Sequence, residues 1–252
     1  MHRRRRMASS PNEWGATPAP VVDGRTTVTE QPLMLEDLVR SQTLSASMAA
    51  SLATAAEERR NILVVAIPRL AGKTTMLMAT LAYVPSATTL HHLSEVHGPG
   101  LGIPAEADGG YLIMAEIART KMPHYLWGEP VRQVFDSLRR GFSLATALHA
   151  NGIDQAFAII HENEVSDEDA AQVDLMVYIR SLGADWRHPT RRVVEAIYEI
   201  NGVVAGEPDA RRLHQWNEAA DRFEDVESPL RIGTVSGNLA KRARAFVDFE
   251  PA

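Results

Sequence analysis

The chain has 252 residues, 45% of them hydrophobic and 6% aromatic, enough for one substantial core and too few for two full-sized domains with linkers. The net charge is −6, and without Arg3 to Arg6 the remaining 22 basic residues face 32 acidic ones, a net of −10. That balance argues against a broad basic surface for nucleic acid, and the absence of cysteine excludes disulfides, thiolate zinc sites and cysteine nucleophiles.

Residues 1–32 carry Pro11, Pro18, Pro20 and Pro32 among Ser, Thr, Gly and Ala, the composition of a disordered arm. The basic opening has no hydrophobic stretch behind it, and no apolar run approaches the roughly 20 residues that span a bilayer. The expectation is a cytoplasmic protein that meets membranes only through partners. From Leu35 onward, Leu38, Val39, Ala46, Ala49, Leu52, Ala53 and Ala56 recur at helical spacing and predict one amphipathic helix ending near Arg59 and Arg60. The unbroken, β-branched run at 61–67 predicts a strand buried on both faces of a parallel sheet. A helix follows over 73–84, stopped by Pro85. Further strands are expected at 88–93, 111–115, 144–148, 175–179 and 193–200, with a helix at 130–139 among them. The alternation is that of an α/β fold whose largely parallel central sheet is flanked by helices. Beyond Gly206, Leu213, Trp216, Ala220 and Phe223 are spaced as one helix, and Leu239, Ala243, Phe246 and Val247 as another. The expected organisation is an arm at 1–32, a core with a leading helix at 33–205 and a helical tail at 206–252.

The segment Gly72-Lys73-Thr74-Thr75 lies between the buried strand and the next helix, where phosphate-binding loops sit. Such a loop needs backbone N–H groups turned toward the phosphates, a lysine for their outer oxygens and a hydroxyl for Mg²⁺. Gly72, Lys73, Thr74 and Thr75 supply the second half of G-x-x-x-x-G-K-S/T, with Thr74 as the Mg²⁺ ligand. Ile67 stands where the pattern opens on glycine. An ordinary strand-to-helix turn is the alternative reading.

Taken together, four ordered segments resemble the ATPase core of the type II/IV secretion and pilus-assembly ATPases, a RecA-like P-loop family. Arg60-Asn61-Ile62-Leu63 through Gly72-Lys73-Thr74-Thr75-Met76-Leu77 is similar to the family's R-N-I-L strand and G-S-G-K-T-T-L-L loop. Leu112-Ile113-Met114-Ala115-Glu116 resembles its Walker B strand, and Gly141 through His149-Ala150-Asn151 its histidine box. The stretch from Val173 to Arg180, with Arg191-Arg192-Val193 and Ile197 to Ile200, resembles the closing hairpin. The resemblance covers roughly residues 57–200. It departs from the family at Ile67 and Leu70, where the loop has glycines, at Ala115, and at Ser94, where the acidic box has its usual glutamate; Glu95 keeps a carboxylate. The family's usual N-terminal domain has no counterpart in this sequence.

The resemblance implies an ATP- and Mg²⁺-binding protein that works in hexameric rings or mixed oligomers with secretion or pilus machinery. If active, it hydrolyses ATP with Lys73 on the β/γ-phosphates, Glu116 orienting the attacking water, and Glu95 and His149 in support. Arg180, Arg191 and Arg192 are candidates for charge donated across a subunit interface. His91 and His92, adjacent in a strand, point to opposite faces and make a poor shared metal site. The rival is a non-catalytic scaffold or regulatory subunit that keeps the fold without turnover. The lost glycines favour that rival, while the intact Gly-Lys-Thr-Thr and Glu116 favour the enzyme.

Overall fold

The long helix expected from Leu35 onward is broken into α1 (Leu35–Arg40) and α2 (Ala46–Glu57). Gln42 between them has a φ of 55°, which cannot continue a right-handed helix, and Ser45 starts the second one by accepting the Met48 N–H on its Oγ at 3.1 Å. The computed structural model describes residues 32–67, 70–107, 109–233 and 239–248, all belonging to the unit Pro32–Ala252. The arm expected at 1–32 lies, Pro32 apart, outside the described residues.

Strands and helices then alternate as the apolar runs predict: β1 (Ile62–Ile67), α3 (Lys73–Leu81), β2 (Leu90–His92), β3 (Tyr111–Ile117), β4 (Tyr125–Leu126), α4 (Glu129–Leu138), β5 (Ser143–Leu148), α5 (Ile153–Glu162), α6 (Asp167–Ala170) and β6 (Leu175–Leu182). After them come β7 (Arg191–Val204), β8 (Glu207–Asn217), β9 (Arg222–Asp225) and α7 (Leu239–Val247). Among the described residues one sheet of nine strands forms in the order β2-β3-β5-β1-β6-β7-β8-β9, with β4 paired to β3. Pairings from β2 across to β6 are parallel, and those from β6 to β9 antiparallel. β1 sits between β5 and β6, with Val64 opposite Ala147 on one side and Val177 on the other. Its two faces enter two separate cores, which is why the run reads as unbroken rather than alternating. Ile62, Val64 and Ala66 pack with residues of α1, α2 and α3, while Leu63 and Val65 join α4 and α5.

The tail expected to be helical over 206–252 is corrected by the structure. Leu213 and Trp216 lie in β8 and Phe223 in β9, so the sheet continues across the boundary placed at 205/206, which falls at a hairpin tip. That tip is Ala205-Gly206, with φ values of 53° and 77°, and the Asp167 carboxylate accepts both backbone N–H groups at 2.7 and 3.0 Å. Part of the helical spacing comes from a β-bulge: β7 pairs Ile197 with His214 and Tyr198 with Arg212, leaving Leu213 as the extra residue and burying two neighbours, Leu213 and His214, together, while Ala220 lies in the turn to β9 and Phe223 pairs opposite Trp216. Only α7 keeps the helical expectation, with Phe246 buried 5.9 Å from the Tyr83 ring. The segment before it is tied down by Glu199, which is fully buried and accepts the N–H groups of Leu230, Arg231 and Ile232 at 2.7, 2.9 and 3.1 Å.

Candidate functional site

The C-terminal ends of β1, β5 and β3 open on one edge of the sheet, where α/β proteins gather ligand-binding groups. β1 stops at Ile67, and the chain enters α3 through Gly72, whose φ of 92° suits glycine and strains other residues. Gly72 offers no side-chain cap, and the first helical bond runs from the Met76 N–H to the Gly72 carbonyl at 2.9 Å. The N-terminal end of α3 thus carries the partly positive end of the helix dipole, which suits an anion.

Lys73, the first residue of α3, is 7% exposed. Its Nζ lies 3.4 Å from Glu116 Oε2 in β3 and 3.2 and 3.3 Å from the two ring nitrogens of His149, the residue after β5. His149 Nε2 is 3.1 Å from Glu116 Oε1. Cation, imidazole and carboxylate close a triangle, satisfied when Nε2–H donates to Glu116 and Nδ1 accepts from the ammonium. Burial pushes the Glu116 carboxyl up, but the His149 hydrogen bond and the Lys73 charge outweigh it and hold the group below its ordinary value, as a carboxylate. Thr74 and Thr75 are exposed on the first turn. Gly72 and Thr75 also border a cavity of about 440 Å³ shared with Leu38, Thr43, Ile179 and Arg192. An exposed hydroxyl, a buried ammonium, a helix N-terminus and a carboxylate are a set of groups that fits a Mg-nucleotide.

The remaining expected residues are placed differently. Glu95 begins a one-turn 3-10 segment, Glu95–His97, after β2; it is exposed and makes no contact with Lys73, Glu116 or His149 among the described residues. Ser94, buried beside it, is a cap rather than an acid: its Oγ donates to the Pro123 carbonyl at 3.0 Å and accepts the Val96 N–H at 3.3 Å. Of the two positions where the resemblance has glycine, Leu70 takes a left-handed φ of 65°, whereas Ile67 is an ordinary strand residue paired with Arg180. Arg180 is bound to Glu195 and Glu218 at 3.1 and 2.7 Å, and Arg191 to Asp221 and the Gln42 carbonyl at 2.7 and 3.1 Å. Arg192 instead reaches the loop between β1 and α3 of its own chain, with Nε donating to the Leu70 carbonyl at 3.1 Å. Sequence reasoning missed Tyr178, whose hydroxyl donates to Asn151 Oδ1 at 2.7 Å and ties β6 to the loop carrying His149. No local spacing signals a contact between residues so far apart.

No protein-family model and no curated protein matches the chain. Among solved structures it is similar to the VirB11 ATPase of the Brucella suis type IV secretion system, determined in complex with sulphate. The two are 15% identical over 59% of this chain and 50% of that one, with a TM-score of 0.40. The match therefore spans about half the length of that protein.

Proposed function

We propose that this chain binds Mg-ATP at the N-terminus of α3 and hydrolyses it slowly, as an ATPase-like protein of the secretion and pilus-assembly kind. One observation carries the reading: Lys73, Glu116 and His149, from three separate elements, converge within 3.1–3.4 Å beside the left-handed Gly72. Mg-ATP supplies a phosphoanhydride bond and a cation that neutralises part of its charge. The Lys73 ammonium turns from Glu116 to the phosphate oxygens, and the Thr74 hydroxyl is the group that would hold Mg²⁺. Glu116, released from Lys73, orients a water and takes its proton as the water oxygen bonds to the γ-phosphorus and the β,γ-bridging oxygen departs with ADP, while His149 keeps the carboxylate aimed. The cavity of about 440 Å³ beside Gly72 and Thr75, which Lys73, Thr74, Glu116 and His149 do not line, falls in the size range of small-molecule pockets, roughly 300–1,000 Å³. The protein acts in a ring with further copies or with machinery subunits, and Mg-ATP strengthens that association; sedimentation velocity with and without Mg-ATP tests this.

Calorimetric titration of Mg-ATP into the wild type and Lys73→Ala is the direct test. Weak binding that disappears in Lys73→Ala is expected; no binding to the wild type, or equal binding to both, overturns the reading. The second reading, a scaffold without turnover, is favoured by Leu70 and Ile67 in a loop that the resemblance builds with glycine. Turnover no greater than that of Glu116→Gln in the assembled protein would decide for it.

A further inference from the structure

Leu70 is a strained residue among those described between β1 and α3. Its φ of 65° is left-handed, and its side chain is 66% exposed, so little burial offsets the strain. Arg192 holds it from β7, two strands away from β1 in the sheet. The guanidinium Nε donates to the Leu70 carbonyl at 3.1 Å, and the stem passes over Gly72, with Cδ 3.4 Å from where a Cβ on that glycine would stand. The base of the arginine is fixed by the antiparallel register, which sets Arg192 opposite Ser181 of β6. Arg180 and Arg191 are engaged elsewhere, so this task falls to one arginine of the three.

We propose that Arg192 is the positioning residue of the phosphate loop. Its bond to the Leu70 carbonyl enforces from outside the backbone conformation that a glycine at position 70 would adopt unaided. Held there, Leu70 sends the chain through Ala71 and Gly72 with the first amides of α3 facing the loop. Without Arg192 the leucine relaxes toward ordinary φ values and the amides turn away. Only the nucleotide readout of this proposal rests on the function proposed above; the loop conformation can be read without any ligand.

The test compares the full chain with Arg192→Ala, Arg192→Lys, Leu70→Gly and the double variant Leu70→Gly/Arg192→Ala. Two readouts are amide hydrogen exchange over residues 70–76 in the ligand-free protein and calorimetric affinity for Mg-ATP. Arg192→Ala is expected to speed exchange and weaken Mg-ATP each by about tenfold, the scale of one left-handed non-glycine residue. Arg192→Lys keeps the charge and stem without the Nε–H and falls between. In the Leu70→Gly background, the same Arg192→Ala change moves either readout by no more than about twofold. An arginine that merely packs on the loop would cost the same in both backgrounds, and that result overturns the proposal, as does unchanged exchange in Arg192→Ala. If Arg192→Ala fails to fold, Arg192→Lys with and without Leu70→Gly makes the same comparison. Coupled exchange without Mg-ATP binding removes the nucleotide reading and leaves the latch; binding without coupled exchange does the reverse.

Discussion

A lysine that is 7% exposed stays in the interior because Glu116 and His149 surround its ammonium. A buried charge stripped of its partner costs several kcal/mol, so these three groups stand or fall together. Glu116→Gln keeps the shape and a hydrogen-bond acceptor but loses the charge and the base. Turnover should then fall at least about 100-fold with Mg-ATP affinity changed less than about threefold, the signature of a group acting in the transition state, checked by steady-state kinetics beside calorimetry. The same carboxylate sets an acid limit. Because its native pKa lies below the ordinary glutamate value of about 4.3, its stabilising contribution is complete above that pH and is lost as pH falls through the lowered native value. Thermal melts from pH 3 to 6 should therefore show a steeper loss on the acid side for the wild type than for Glu116→Gln. Lys73 is legible in its own Gly-Lys-Thr pattern and Glu116 and His149 through the resemblance, but that the three meet is decided by the tertiary structure. Glu95 was assigned by the same logic, but it follows β2 beyond β3 and lands apart from the three.

Between elements, His214 of β8 joins α2 to β9. The bulge at Leu213 leaves His214 buried, where its Nε2 meets Ser51 Oγ of α2 at 2.9 Å and its Nδ1 meets Asp225 Oδ1 of β9 at 2.8 Å. Ser47 adds a second bond to Asp225 at 3.1 Å. Ser51 is 2% exposed, so His214→Ala leaves a buried hydroxyl unsatisfied and should cost about 1–3 kcal/mol in urea denaturation. Hydrogen exchange in β8 and β9 should rise with it, while α3 and β1 stay protected. Glu199 makes the corresponding tie for the segment leading to α7: Glu199→Ala strands three backbone N–H groups and should cost about 3 kcal/mol.

At the scale of the whole molecule, one sheet divides two apolar cores. Leu63 lies in the core beneath α4 and α5, and Leu52 in the one built by α1, α2 and α3; both are fully buried. Each leucine-to-alanine change should cost about 2–5 kcal/mol, and because the sites share no core the double variant should lose the sum to within about 0.5 kcal/mol, measured by chemical denaturation. A clear shortfall would mean that the two layers unfold as one repacked body. Neither core supplies a membrane span: no helix among the described residues is long and apolar enough to cross a bilayer.

The sequence alone determined the features that depend on neighbours along the chain. The buried strand at 61–67, the turn into α3 at Gly72 and the largely parallel sheet with helices on its faces all follow from local pattern, since burial on both faces leaves an unbroken apolar run whatever its partners are. Tertiary structure alone decided what depends on register and on contacts between distant segments. Bulges hid β8 behind helical spacing, because one extra residue moves the side chains that follow to the other face. Likewise Arg192 is one of several arginines along the chain, and it reaches the loop between β1 and α3 only because β6 lies between β1 and β7 and sets its stem above Gly72.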